Sequence, residues 1–217
     1  ISLISEYLNL QEEYTKKYGP KTIVLMQVGH FYETYATKTK GYDLSLLSKI
    51  LNITRTQKNK SIKEISEKNP YLVGFNLIAY KKNLELLIEK GYTVVVIEEV
   101  TPPPCPKREL TGIYSPSTYL DTVFSPDSNN LGALYLEAEK QTSGKYLLAV
   151  GATALDLTTG ESYILEAVSL PQDEKYGLDE VARFLSQHSP KEVVFYYKEP
   201  EDRPDSLSQK FILKYLE

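Results

Sequence analysis

Cysteine is almost missing: Cys105 is the single one in 217 residues, which excludes an internal disulfide and a Cys-rich zinc site. Histidine is nearly as scarce. His30 and His188 stand far apart, without carboxylates at ligand spacing, so no transition-metal site, structural or catalytic, is expected. No run approaches the roughly 18 consecutive apolar residues of a membrane span, and no leader pattern of charged then apolar residues opens the chain, so no membrane partner is expected. Nor does a Gly-x-x-x-x-Gly-Lys-Ser/Thr phosphate loop occur. The chain begins at Ile1 rather than Met, as an excised piece or a processed product does, so missing targeting signals exclude little. An intracellular setting is expected, whether cytosol, nucleus or organelle interior.

What remains has the composition of an ordinary globular protein, with 41% hydrophobic and 25% charged residues. Its length supports one large domain or two small ones, each able to bury a core. Charge divides the chain. Residues 1–110 hold 16 Lys and Arg against 12 Asp and Glu, whereas residues 111–217 hold 9 against 17. A basic first half and an acidic second half suggest that only the first meets a polyanion; chance scatter is the plainer reading of the same numbers.

In the first half, Leu3, Tyr7, Leu8, Gln11, Tyr14 and Tyr18 follow one helical face, and Gly19-Pro20 ends the helix. The run 22–28 reads as a strand buried on both faces, and 30–35 has strand composition. A second helix is expected over 42–51. Residues 54–68 are polar and read as a mobile hairpin or loop. A strand at 71–75, a helix at 77–90 with Leu77, Tyr80, Leu84, Leu87 and Ile88 inward, and a strand at 92–100 form a crossover unit, so this half is α/β with a mixed sheet. The Pro-rich run 102–106 reads as a stiff connecting loop rather than a polyproline ligand.

The segment 115–130, with Pro116, Pro126, Asp127, Ser128, Asn129 and Asn130, looks like an interdomain linker. Strands are then expected at 131–137, 146–156 and 162–168, a helix at 178–187, a strand at 192–197 and a helix at 207–216. Three antiparallel strands, a helix and a further strand is the order of an RNase H-like α/β domain. The chain stops soon after, which leaves its completeness open. The expected organisation is two domains, 1–114 and 131–217, joined by 115–130.

Chemistry concentrates in Gly29-His30-Phe31-Tyr32-Glu33. Residues two apart on a strand share a face, about 6.5–7 Å apart, so Phe31 and Glu33 act as a pair. On an edge facing DNA, the ring can wedge into a weakly stacked step while the carboxylate bonds a base edge. Gly29 lets the backbone come close. Such a string is common, however, and its Phe is by default a core residue, in which case the chain is a protein-interaction piece.

The surroundings alter that weighing. The run 22–33, from Thr22 through Gly29-His30-Phe31-Tyr32-Glu33, resembles the mismatch-recognition domain of the MutS family, whose fingerprint is a buried strand leading into Gly-Asp-Phe-Tyr-Glu. The likeness continues through Leu51-Asn52-Ile53-Thr54-Arg55, Leu72-Val73-Gly74-Phe75, and the stretch 79–99. Ala154-Leu155-Asp156-Leu157-Thr158-Thr159-Gly160-Glu161 resembles the strand and turn of that family's connector domain. The resemblance implies that Phe31 is the stacking wedge and Glu33 the carboxylate at the mispaired base, with Gly29 beside them. Arg55, Lys58 and Lys60 match loosely, as loop cations near phosphates or as a solvated face. His30 stands where the family has Asp, and Asn76-Leu77-Ile78-Ala79 replaces its Pro-Tyr-His-Ala, which marks a divergent branch.

The partner thus implied is double-stranded DNA carrying a mismatch or an unpaired base. No catalytic residue and no cofactor are expected in these residues. ATP and Mg²⁺ belong to a later ATPase domain of the full-length protein, which also implies a clamp and a dimer. The competing enzyme reading is an RNase H-like, Mg²⁺-dependent nuclease centred on Asp156. The strand 192–197 offers it no carboxylate before Glu199, so a turn-forming Asp156 is the favoured reading.

Overall fold

The computed structural model describes residues 2–119 and 129–216. The chain divides into two compact units, residues 1–119 and 120–217.

The first unit opens with helix α1 (Leu3–Tyr18). The Ser2 side chain caps its start by accepting from the Ser5 N–H, and Gly19 ends it at φ +96°, donating to the Thr15 carbonyl. Strands β1 (Thr22–Val28) and β2 (Phe31–Ala36) follow. Helix α2 (Leu44–Leu51) starts later than its hydrophobic spacing suggests, because Asp43 accepts from the Ser45 N–H and caps it there. The polar stretch that follows begins with a two-residue strand, β3 (Thr56–Gln57), paired with β4 (Tyr71–Asn76). Helix α3 (Tyr80–Glu89), strand β5 (Thr93–Glu99) and strand β6 (Arg108–Tyr114) complete the unit.

The strands form one mixed sheet in the order β3-β4-β2-β1-β5-β6. Strand β1 pairs parallel with β5 and antiparallel with β2, while β2 is antiparallel to β4. Hence β4 and β5 run the same way, and α3 joins them as a crossover past β2 and β1. Alternation along β1 explains its unbroken apolar run. Ile23 and Leu25 enter the core beneath α2 and α3, with Leu47, Leu87 and Val94. Val24 and Met26 enter the opposite core beneath α1, with Tyr7, Leu8 and Tyr35.

One expectation needs correction, and one strand has no counterpart in the local pattern. Leu77 does not point inward from a helix. Asn76 accepts from the Ala79 N–H and starts a 3₁₀ turn at Leu77–Ala79, which leaves Leu77 exposed and Ile78 94% exposed. Strand β6 was not anticipated at all, since Arg108-Glu109-Leu110-Thr111-Gly112 shows no apolar alternation; the edge position on β5 and a bulge opposite Val96 and Ile97 explain why none was needed.

The second unit consists of β7 (Asn130–Lys140), β8 (Tyr146–Asp156), β9 (Ser162–Val168), α4 (Tyr176–His188), β10 (Glu192–Lys198) and α5 (Gln209–Leu216). Its mixed sheet runs β10-β7-β8-β9, an antiparallel meander with β10 added parallel to β7. Leu134, Leu136, Leu148 and Val150 bury one face against Leu178, Val181 and Ile212. The other face leaves Ile164, Val194 and Tyr196 exposed. Within the expected linker, residues 120–128, including Pro126, Asp127 and Ser128, lie outside the described residues.

Among the described residues, no helix is long and apolar enough to cross a membrane.

Candidate nucleic-acid interface

Strands β1 and β2 are joined by the two-residue turn Gly29-His30, which brings Val28 opposite Phe31. Gly29 adopts φ +58°, the left-handed region that a tight hairpin requires and that only glycine enters cheaply. A Cβ placed there meets nothing within 4 Å, so backbone conformation, not crowding inside the protein, is what this structure asks of Gly29.

The turn is tied down from elsewhere. The Gly29 N–H donates to Glu99 Oε1 at 3.2 Å, the Gln27 side-chain amide donates to the Gly29 carbonyl at 3.1 Å, and the Leu77 N–H donates to the His30 carbonyl at 3.1 Å. Glu99 in turn pairs with Arg108, whose Nε donates to the Gln27 carbonyl at 2.9 Å, while the Glu99 N–H reaches Gln27 Oε1 at 3.1 Å. Both side chains of that ion pair are 13% exposed. Gln27, Glu99 and Arg108 therefore form a brace under the turn. Sequence reasoning missed all three, and nothing in their local spacing announces contacts between residues 70 to 81 positions apart.

On this braced tip the side chains alternate. Phe31 is 49% exposed, whereas the next residue, Tyr32, is 3% exposed. Tyr32 stacks on Tyr80 with centroids 4.7 Å apart and donates its hydroxyl to Glu98; burial first, and then that bond, hold its phenol above the ordinary range. The default reading of Phe31 as a core residue is thus overturned: the core position belongs to its neighbour. Glu33 is half-buried on the same face as Phe31, and Tyr35 donates its hydroxyl to Glu33 Oε2. Other apolar side chains stand bare at this end of the sheet. Asn76 pairs with Phe31, and Leu77 and Ile78 follow it directly.

The three loop cations part company. Lys58 projects to the Phe31 and Glu33 face, its ammonium 5.9 Å from the centre of the Tyr35 ring. Arg55 lies over the Tyr71 ring at 4.3 Å and donates to the Ser45 hydroxyl at 2.6 Å. Tyr71 pairs with Ala36 at the far end of β2 and packs toward the α2 and α3 core. Arg55 is therefore on the opposite sheet face from Phe31, and about 17 Å along the strand at roughly 3.3 Å per residue. Lys60 is exposed in the loop between β3 and β4.

In the second unit, Asp156 ends β8 and its carboxylate accepts from the Thr158 N–H at 2.8 Å. That bond, ahead of those from Thr159 and Asn129, holds its pKa below the usual carboxylate range. This is a turn-forming aspartate. Among the described residues, no three His, Cys, Asp or Glu side chains cluster as a metal site.

Comparison with known proteins then decides the family, since residues 2–123 match MutS domain I. The chain belongs to the MutS family. It is 39% identical over 199 residues to a DNA mismatch repair protein mutS homologue of Acanthamoeba polyphaga mimivirus, covering 90% of this chain and 18% of that protein. It is 34% identical over 206 residues to the DNA mismatch repair protein MutS of Chlorobium phaeobacteroides, covering 92% and 20%. With the MutS of Thermodesulfovibrio yellowstonii it shares 29% over 209 residues, covering 94% and 20%. This MutS chain spans about a fifth of the length of these relatives. The turn, its brace and the outward ring all lie within the residues matched as MutS domain I.

Proposed function

We propose that the first unit recognises mismatched or unpaired DNA by inserting the Phe31 ring between base steps and kinking the duplex, while Glu33 hydrogen-bonds an edge of the displaced base. The observation that carries this reading is the half-exposed ring on a turn whose backbone is fixed by Glu99, Gln27 and Leu77. Unstacking a step costs a few kcal/mol and least where pairing is already broken, so a rigid wedge converts local weakness of the duplex into affinity. Selectivity then comes from deformability more than from a base code. Gly29 keeps the turn free of a side chain where the backbone meets DNA, and Lys58 and Lys60 supply phosphate contacts; Arg55, on the opposite sheet face, is not one of them.

The second unit serves as an RNase H-like connector. Its sheet order, with β10 parallel to β7 and reached through α4, supports that reading. The full-length protein adds the clamp and an ATPase using ATP and Mg²⁺, and acts as a dimer.

The test is Phe31→Ala in the full-length protein, measured by binding to G·T, unpaired-base and matched duplexes. Preference for the defective duplexes is expected to fall at least about tenfold, the equivalent of about 1.4 kcal/mol, with folding intact. Unchanged discrimination overturns the reading.

A further inference from the structure

Glu33 is held by one oxygen. Tyr35, two residues along β2 and on the same face, donates to Oε2, and no bond to Oε1 occurs among the described residues. The donor itself cannot move. The Tyr35 ring is 1% exposed and meets the edge of Tyr7 with centroids 5.2 Å apart and planes at 82°. Tyr7 is fixed in turn, its hydroxyl 3.0 Å from the Val24 carbonyl. Given the DNA-facing role proposed for Glu33, we infer that Tyr35 is the positioning residue of the base-reading carboxylate: its hydroxyl locks Oε2, so that Oε1 is offered to DNA as an acceptor for a base N–H.

Burial first, and then the bond to Glu33, hold the Tyr35 phenol above its ordinary acidity range, so it remains a donor at any working pH. The charged and titratable groups around the pair are few. Tyr7 faces it from α1, Lys58 lies over the Tyr35 ring from beyond β3, and Arg108 on β6, paired with Glu99, acts on the Tyr35 hydroxyl. Strands β1 and β4 put Met26 and Gly74 opposite Glu33, and neither titrates.

Tyr35→Phe removes only the hydroxyl and keeps the ring that α1 packs on. The measurements are binding to mismatched and matched duplexes and thermal stability in the full-length protein, for wild type, Tyr35→Phe, Glu33→Gln and the double variant. Without its anchor the carboxylate loses its fixed direction, so mismatch preference in Tyr35→Phe is expected to fall about fivefold, while matched-duplex binding stays as in wild type. Glu33→Gln lowers preference as well, and adding Tyr35→Phe to it changes nothing further. If Glu33 merely satisfies a buried phenol, Tyr35→Phe lowers stability or weakens both duplexes alike, and an unchanged preference overturns the inference. If Phe31→Ala and Glu33→Gln retain full discrimination, the wedge reading fails and Tyr35 has nothing to position.

Discussion

The tight turns that follow β1 and β8 are secured in opposite ways. The turn after β8 is secured mainly by its own residues: Asp156 accepts from the Thr158 N–H, the Gly160 N–H reaches the Asp156 carbonyl at 2.8 Å, and the Asp156 N–H reaches the Glu161 carbonyl at 2.8 Å. The Gly29-His30 turn is secured by groups far away in sequence, Glu99 and Leu77, with Arg108 behind them. A local turn needs only to reverse the chain. A turn braced from two other strands and from the 3₁₀ turn after β4 also fixes what it carries, and here it carries an outward aromatic ring. The difference separates a connection from a presentation device.

The sharpest way to break the contrast is within the presented tip itself, at adjacent residues. Tyr32→Ala empties a core site between Phe75 and Tyr80 and is expected to cost about 3–5 kcal/mol. Phe31→Ala removes a half-exposed ring and is expected to cost under about 1 kcal/mol. Chemical denaturation of the two variants checks this; equal losses would mean that Phe31 packs as a core residue in solution. Next in size is the brace. Arg108→Ala leaves Glu99 largely buried without its cation, at about 3 kcal/mol, and frees the turn that Glu99 holds. Denaturation reads the stability loss, and faster amide exchange at Gly29 reads the loosened turn. Destabilisation without any change at Gly29 would show that the pair staples β5 to β6 and does not brace the tip.

How far each turn is legible in the sequence follows from the same contrast. Asp156-Leu157-Thr158-Thr159-Gly160 announces itself, because all the chemistry of an Asx turn lies within five residues. So do α1, β1 and β9, whose bounds follow from local periodicity and from Gly19-Pro20. Phe31 and Glu33 are legible as a same-face pair, and the spacing of Glu33 and Tyr35 carries the same signal, though nothing in it says that a hydroxyl will meet a carboxylate. Gln27, Glu99 and Arg108 are not legible, because their meeting depends on sheet order, and β6 lacks the alternation that would have placed Arg108 on a strand. The grouping of Arg55 with Lys58 and Lys60 as loop cations is legible only as composition: that Arg55 lies over Tyr71 while Lys58 lies over Tyr35 depends on tertiary packing, which no local pattern reveals.

The local turn yields the smallest effect, and it is one that pH can switch. Backbone and side-chain donors from Thr158 and Thr159 lower the Asp156 pKa in the folded state. A carboxylate with a depressed folded-state value stabilises the fold above its unfolded value, near about 4, and loses that contribution as pH falls through the folded value. Asp156→Ala is therefore expected to lower the melting temperature of the second unit modestly at neutral pH, with the gap to wild type closing below about pH 4. The backbone bonds from Gly160 and to Glu161 survive the substitution, which is why the loss stays below that of Arg108→Ala. Calorimetry between neutral and acid pH measures the gap. A gap that persists undiminished in acid would place the contribution of Asp156 in packing rather than in charge.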